Sequence, residues 1–72
     1  MIEELRRQAG MTQTDLAYAA HVSIDLIRAI EYGSMPYGRV DCEKAAGIAR
    51  ALGWKVEDIL YGSKIARPER HG

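Results

Sequence analysis

Thr12-Gln13-Thr14-Asp15-Leu16-Ala17 predicts the start of a short helix, and Ser23, Ile27 and Glu31-Tyr32-Gly33 predict a second helix after a tight turn. Thr12 and Ser23 are typical N-cap residues, because a hydroxyl oxygen accepts a hydrogen bond from an otherwise unpaired amide of the first helical turn. Asp15 follows Thr12 by three residues and completes a short capping box. Gly33 ends the second helix, since glycine enters the left-handed conformation easily.

Three further helices are predicted on either side of this pair. The first covers about residues 2–9 and ends at Gly10, the fourth runs from about residue 41 to 52 and ends at Gly53, and the fifth covers about residues 56–61. Residues 34–40 contain a proline and a glycine and are predicted to form a loop. We therefore expect an all-α domain of five helices over residues 1–62, followed by a flexible basic tail over residues 63–72.

The predicted second and third helices must cross steeply, because only about three residues separate them. At 100° per residue, the outward face of the third helix carries Asp25, Arg28, Ala29 and Tyr32. The inward-facing residues of the first three helices are predicted to be Ile2, Leu5, Ala9, Leu16, Ala17, Ala20, Val22, Ile27 and Ile30.

The composition limits the class of protein. A chain of 72 residues allows one small domain that buries only about 60% of its unfolded surface. No apolar run approaches the roughly 20 residues of a membrane span, and the amino terminus does not resemble a signal peptide, so we expect a cytoplasmic protein without a membrane partner. The single cysteine, Cys42, excludes an internal disulfide and is expected to be a reduced packing residue, with a redox sensor or an intermolecular bridge as alternatives.

An enzyme is not expected from the residue pattern. The sequence has no nucleophile with a nearby base, no cluster of metal ligands and no phosphate-binding glycine loop. His21 and His71 stand alone, at the predicted turn and in the tail. We therefore predict no catalytic residues, no metal, no cofactor and no small-molecule substrate.

The net charge argues against a nucleic-acid partner, because ten basic and ten acidic residues give a formal charge of zero. Neutralisation of phosphates by basic residues normally supplies most of the affinity for DNA. The distribution weakens this objection: Arg28 and Arg39 lie in and just after the third helix, and three basic residues lie in the tail.

The chain resembles the Cro and phage-repressor (XRE) family of helix-turn-helix regulators over about residues 2–62. The matching positions, in the order and spacing of the family pattern, are Leu5-Arg6, Gly10-Met11-Thr12-Gln13, Leu16-Ala17, Val22-Ser23, Ile27, Ile30-Glu31-Tyr32-Gly33, Ile48-Ala49, Ala51-Leu52-Gly53 and Ile59-Leu60-Tyr61-Gly62. The resemblance implies a compact five-helix, lambda-repressor-like DNA-binding domain in which helices 2 and 3 form the helix-turn-helix motif. It also implies a transcriptional regulator that binds double-stranded DNA.

The resemblance implies roles for particular residues. Gln13 would contact a phosphate and brace the recognition helix, unless it is an ordinary solvated residue. Arg39 would contact the DNA backbone or minor groove. Arg6 and Glu31 would form a partly buried structural ion pair. The residues expected at the base edges, or capping the helix beside them, are Ser23, Ile24, Asp25, Arg28 and Ala29.

Three departures from the family pattern bear on these roles. His21 occupies a turn position where relatives usually have glycine, and histidine enters the left-handed region more readily than most residues. Leu26, with Ile24, makes the recognition helix unusually apolar. Asp25 carries a negative charge toward the expected groove, and the alternative for Asp25 and Arg28 is a surface pair on one helix.

Two hypotheses about the function remain open at this point. Few phosphate contacts per copy favour a homodimer on a pseudo-palindromic operator, with Trp54, Val56 and Tyr61 as interface candidates. Ile59 and Leu60 belong to the same apolar surface, but a core position is favoured for both. The competing hypothesis is a protein-interaction module of the same fold, such as an antirepressor or antitoxin-like subunit with weak or lost DNA binding. Zero net charge, Asp25 and the apolar recognition helix favour that competitor.

Overall fold

The computed structural model describes residues 2–61. Its elements are α1 (Ile2–Gln8), α2 (Gln13–Ala20), α3 (Ile24–Tyr32), a short 3-10 helix (Tyr37–Arg39), α4 (Cys42–Leu52) and α5 (Val56–Tyr61). No strand occurs among these residues, so the predicted five-helix, all-α fold is confirmed. None of the helices in this range has the length and apolar character needed to cross a membrane. The predicted tail over residues 63–72 lies outside the described residues.

Caps define the start of α2 and both sides of the turn between α2 and α3. The Thr12 hydroxyl accepts from the Asp15 amide and the Asp15 carboxylate accepts from the Thr12 amide, each at 3.0 Å, so the predicted capping box is confirmed. The Ser23 hydroxyl oxygen accepts from the Leu26 amide at 3.1 Å and begins α3. His21 ends α2 with φ 60°, in the left-handed conformation that histidine enters more readily than most residues other than glycine.

The core lies where α2, α3 and α4 meet, and its three fully buried large side chains are Leu16, Ile27 and Ile48, one from each of these helices. Helix α4 approaches α2 so closely that a Cβ atom on Gly47 would lie 2.7 Å from the Ala20 carbonyl oxygen. Only glycine permits this contact without movement of the backbone. The position of α4 against the helix pair therefore depends on Gly47.

Four predictions about burial need correction. Ala9 is exposed, because α1 ends at Gln8 and Ala9 lies in the following turn. Ile30 is only partly buried, although it still packs against the core. Cys42 is exposed, because it is the first residue of α4 and lies beyond the close packing of the helix interior. Leu60 is 43% exposed, since α5 turns its Ile59 face toward the core and Leu60 lines a surface groove beside Gly38.

Candidate nucleic-acid interface

The outward face of α3 carries exposed charges that no described residue neutralises. Asp25 and Arg28 are both exposed, and neither forms an ion pair with another residue in the range 2–61. The surface pair considered as an alternative for these two residues is therefore not formed here. Ala29 is half-buried on the same helix. The Asp25 carboxylate is therefore available to a binding partner as a hydrogen-bond acceptor, and the Arg28 guanidinium is available as a donor.

The amino-terminal end of α3 is partly committed to structure. The Ser23 oxygen is occupied as the helix cap, although its hydroxyl hydrogen can still donate. Ile24 is half-buried and packs against the core cluster, so only part of this side chain is accessible to a partner. Leu26 is half-buried as well, which reduces the apolar surface that the sequence suggested for this helix.

The carboxy-terminal end of α3 is held by a network around Glu31. The Glu31 carboxylate accepts hydrogen bonds from Arg6 Nε at 2.6 Å, Arg6 Nη2 at 3.2 Å and Gln13 Nε2 at 2.9 Å. The Arg6 guanidinium also donates to the Met11 carbonyl at 2.9 Å. This network joins α1, the start of α2 and the end of α3, so it fixes the relative orientation of the two motif helices.

The hydrogen bonds of this network favour the ionised forms of both Glu31 and Arg6. Burial by itself would raise the pKa of Glu31, but the hydrogen bonds from Arg6 and Gln13 outweigh it and hold that pKa below its ordinary value. The hydrogen bond with Glu31 raises the pKa of Arg6 despite the opposing effect of burial. The pair is therefore fully ionised at neutral pH.

Gln13 has a defined structural contact and also spare hydrogen-bonding capacity. One hydrogen of its side-chain amide points to Glu31, so the side chain is not a free, solvated group. The second amide hydrogen remains for another acceptor, because a primary amide has two donors. The sequence predicted that Gln13 braces the recognition helix, and this hydrogen bond agrees with that prediction, but Glu31 was not predicted as its partner. The only signal of this contact in the sequence is the presence of a long amide side chain at the first position of α2, next in the chain to the capping threonine.

Arg39 lies at the end of the 3-10 helix, in the loop that joins α3 to α4. Its amide donates to the Pro36 carbonyl at 2.9 Å within the turn. The Arg39 side chain is exposed and has no ion-pair partner in the part of the chain that the structure describes. Arg28 and Arg39 are thus cations on neighbouring segments of the chain that remain available for phosphates.

The charge of the described domain differs from that of the whole chain. Residues 2–61 contain seven basic and nine acidic residues, a formal charge of −2, whereas residues 62–72 contain three basic and one acidic residue, a charge of +2. Two of the seven cations, Arg6 and Arg7, already pair with Glu31 and Glu3. Any attraction of this domain for DNA must therefore come from a few local cations and not from its net charge.

A second accessible surface lies around the 3-10 helix, α4 and α5. An apolar groove of about 400 Å³ is lined by residues from these elements and the turn beside them, including Tyr37, Val40, Val56 and Leu60. A shallower depression next to it is lined by Trp54 and Val56. Tyr61 is 73% exposed. Leu60 was missed as a surface residue, although the 100° step from Ile59 along a helix already separates the two faces.

The described residues contain no group of three or more histidine, cysteine, aspartate or glutamate side chains arranged to hold a metal. A protein-family model described as "Helix-turn-helix" matches residues 2–59, which is most of the chain and includes every candidate DNA-contacting residue discussed above. Searches of curated proteins and of solved structures gave no match.

Proposed function

The chain belongs to the Cro/C1-type helix-turn-helix (XRE) family of DNA-binding regulators, and from this we propose that it is a cytoplasmic transcriptional regulator that binds a pseudo-palindromic operator as a homodimer. The observation that carries the proposal is the fixing of α3 at both ends. Ser23 caps its start and the Glu31 network holds its end. Between these points Asp25 and Arg28 are exposed and unpaired within residues 2–61.

In this proposal α3 enters the major groove and its exposed side chains read base edges. Arg28 donates to a guanine or to a phosphate, and Asp25 accepts from a cytosine amino group. The accessible part of Ile24 contacts a thymine methyl group, and Ala29 permits a close approach of the helix. Gln13 donates its second amide hydrogen to a phosphate while the first remains on Glu31, so a single side chain links the DNA backbone to the end of α3.

A dimer follows from the small number of phosphate contacts. Arg28, Arg39 and one further cation give about three contacts per copy, which corresponds to a log–log salt slope near −3. The further cation is Lys44, or Arg7 if it exchanges its exposed pair with Glu3 for a phosphate. Two copies on half-sites one helical turn apart double this slope and the sequence information. The proposed dimer surface is the α4–α5 end, where Trp54, Val56 and Tyr61 combine accessible apolar area with the neighbouring groove. Bound next to a promoter, such a dimer acts as a repressor or autoregulator.

One observation favours a second function. The formal charge of −2 over residues 2–61, with Asp25 on the outward face of α3, suits a protein-interaction module that has weak or no affinity for DNA. In that case the apolar groove beside Leu60 binds a protein partner in place of a second copy. The same fold and the same family membership accommodate both functions.

Selection from a pool of random duplexes, followed by a salt titration on the enriched sequence, distinguishes the two functions. A regulator enriches a two-fold-symmetric site and gives a slope of about −5 or steeper. The matched variant is Arg28→Lys, which keeps the charge but lacks the forked donors of arginine, so site preference should fall while binding to random duplexes is retained. A folded protein at micromolar concentration that enriches no site would favour the interaction module.

A further inference from the structure

The loop that carries Arg39 is fastened to the domain on both sides of that residue. The Tyr37 ring packs against the core cluster, and its hydroxyl donates to the Ala45 carbonyl of α4 at 2.5 Å. Val40 is buried at 9% exposure, and its amide donates to the Tyr37 carbonyl at 3.1 Å. Arg39, between them, is exposed. The loop is therefore anchored at residues 37 and 40 and presents the guanidinium of residue 39 to solvent.

The anchor at Tyr37 is a specific polar contact and not only apolar packing. Burial raises the pKa of Tyr37, so its hydroxyl remains protonated and able to donate across the physiological range. A carbonyl oxygen has two lone pairs, so Ala45 can accept this bond in addition to a bond within its helix. The hydroxyl thus connects the 3-10 helix directly to the interior of α4.

We propose that Tyr37 is the positioning residue for Arg39, holding the 3-10 helix against α4 so that the backbone of Arg39 is preorganised and its guanidinium is presented to a DNA phosphate. This inference rests on the proposed function, because it requires Arg39 to contact DNA. Its physical basis is the cost of ordering a contact residue on binding. The exposed Arg39 side chain still loses its rotamer freedom on binding, but the loop that carries it is already fixed in the free protein, so the additional cost of ordering the loop is avoided.

The test compares Tyr37→Phe, Arg39→Ala and the double variant with the unaltered chain, by fluorescence anisotropy on a random-sequence duplex. A phosphate contact is independent of sequence, so no operator is needed. Arg39→Ala should reduce the salt slope by about 0.9 and weaken binding about eightfold near 0.1 M salt. Tyr37→Phe should weaken binding about two- to eightfold. The double variant should be no weaker than Arg39→Ala alone, because the hydroxyl acts only through the guanidinium.

Tyr18→Phe is the matched control, since it removes a tyrosine hydroxyl from a side chain that is 85% exposed on α2. It should bind like the unaltered protein. Thermal unfolding of every variant, followed by circular dichroism, ensures that affinities are compared well below the lowest midpoint. If Tyr37→Phe reduced the amount of folded protein, it would lower the affinity both in the chain with Arg39 and in the Arg39→Ala variant. If it only disturbed the position of Arg39, it would lower the affinity only when Arg39 is present.

Two results would overturn the inference while leaving Arg39 as a DNA contact. In the first, Tyr37→Phe binds the duplex normally while Arg39→Ala binds it more weakly. In the second, Tyr37→Phe reduces affinity by the same factor whether Arg39 is present or replaced by alanine. Normal binding by Arg39→Ala would overturn it differently, by removing the contact on which it depends. Operator selection would then distinguish failure of this inference from failure of the proposed function. If the unaltered protein enriches a symmetric site, the proposed regulator function stands without an Arg39 contact.

Discussion

Glu31→Gln should destabilise the domain by several kcal/mol, although it changes one atom of the side chain. The side chain of Glu31 is only 2% exposed and its carboxylate accepts from two nitrogens of Arg6 and one of Gln13. A glutamine has one carbonyl oxygen and an amide that repels the guanidinium, so at least one charge-assisted hydrogen bond is lost and Arg6 is left as an unneutralised, buried cation. Breaking such a pair costs about 3–5 kcal/mol.

This loss is large against the total stability expected for the domain, about 3–9 kcal/mol for 60 residues. A loss of about 3 kcal/mol should lower Tm by roughly 12–24 °C, measured by circular dichroism and by the fluorescence of Trp54. The matched control is Glu3→Gln, which removes the exposed pair with Arg7, whose side chain is 70% exposed. Exposed pairs contribute about 1 kcal/mol or less. Equal Tm values for the two variants would refute the assignment of Glu31 as the residue that holds α1, α2 and α3 together.

Three further predictions follow from the same geometry. Gly47→Ala should lower the free energy of unfolding by about 1–3 kcal/mol in urea titrations, because its methyl group would lie 2.7 Å from the Ala20 carbonyl oxygen. The control is Gly38→Ala, whose new methyl group would lie 3.4 Å from the flexible Leu60 side chain and should lower the free energy of unfolding by less. Arg28→Ala should abolish specific DNA binding in a mobility-shift assay with Tm unchanged, and an unchanged site preference would remove it from the base-reading set. The Glu31 pKa is lowered on folding, so its stabilising effect is present above its ordinary value of 4.5 and is lost as pH falls through the lower, folded value. The Tm difference between the unaltered chain and Glu31→Gln should therefore narrow below about pH 4.5.

Local signals predicted most of the fold, because caps and glycines act within a few residues of where they stand in the chain. Thr12, Ser23 and Gly33 begin or end helices as expected. The wrong predictions of burial concern positions whose burial depends on tertiary packing. Helix periodicity places Ala9 on the inward face of α1, but the helix ends one residue earlier, at Gln8. Leu60 has a core-like side chain, yet it lines a surface groove and is 43% exposed.

The candidate site was predictable to the extent that it follows the family pattern. The motif placed Arg28 and Asp25 on one exposed face, and both are exposed in the structure. The hydrogen bonds of Gln13 and Tyr37 could not be derived from the sequence, because each joins residues from separate elements through the ends of long side chains. Such contacts depend on crossing angles and distances that helix periodicity does not contain.

The low charge of the domain has a consequence for specificity if α3 enters the major groove. Non-specific affinity comes almost entirely from phosphate contacts, and a domain of charge −2 with about three such contacts per copy has little of it. Asp25 adds a penalty at every sequence that offers it no donor, and a cytosine amino group at the matching position removes that penalty. Phosphate contacts contribute to specific and non-specific binding alike, so it is Asp25 that increases the ratio of the two. Because that ratio and the number of competing sites together determine occupancy in a genome, a recognition face with both Asp25 and Arg28 suits a regulator that is present at concentrations near its specific Kd.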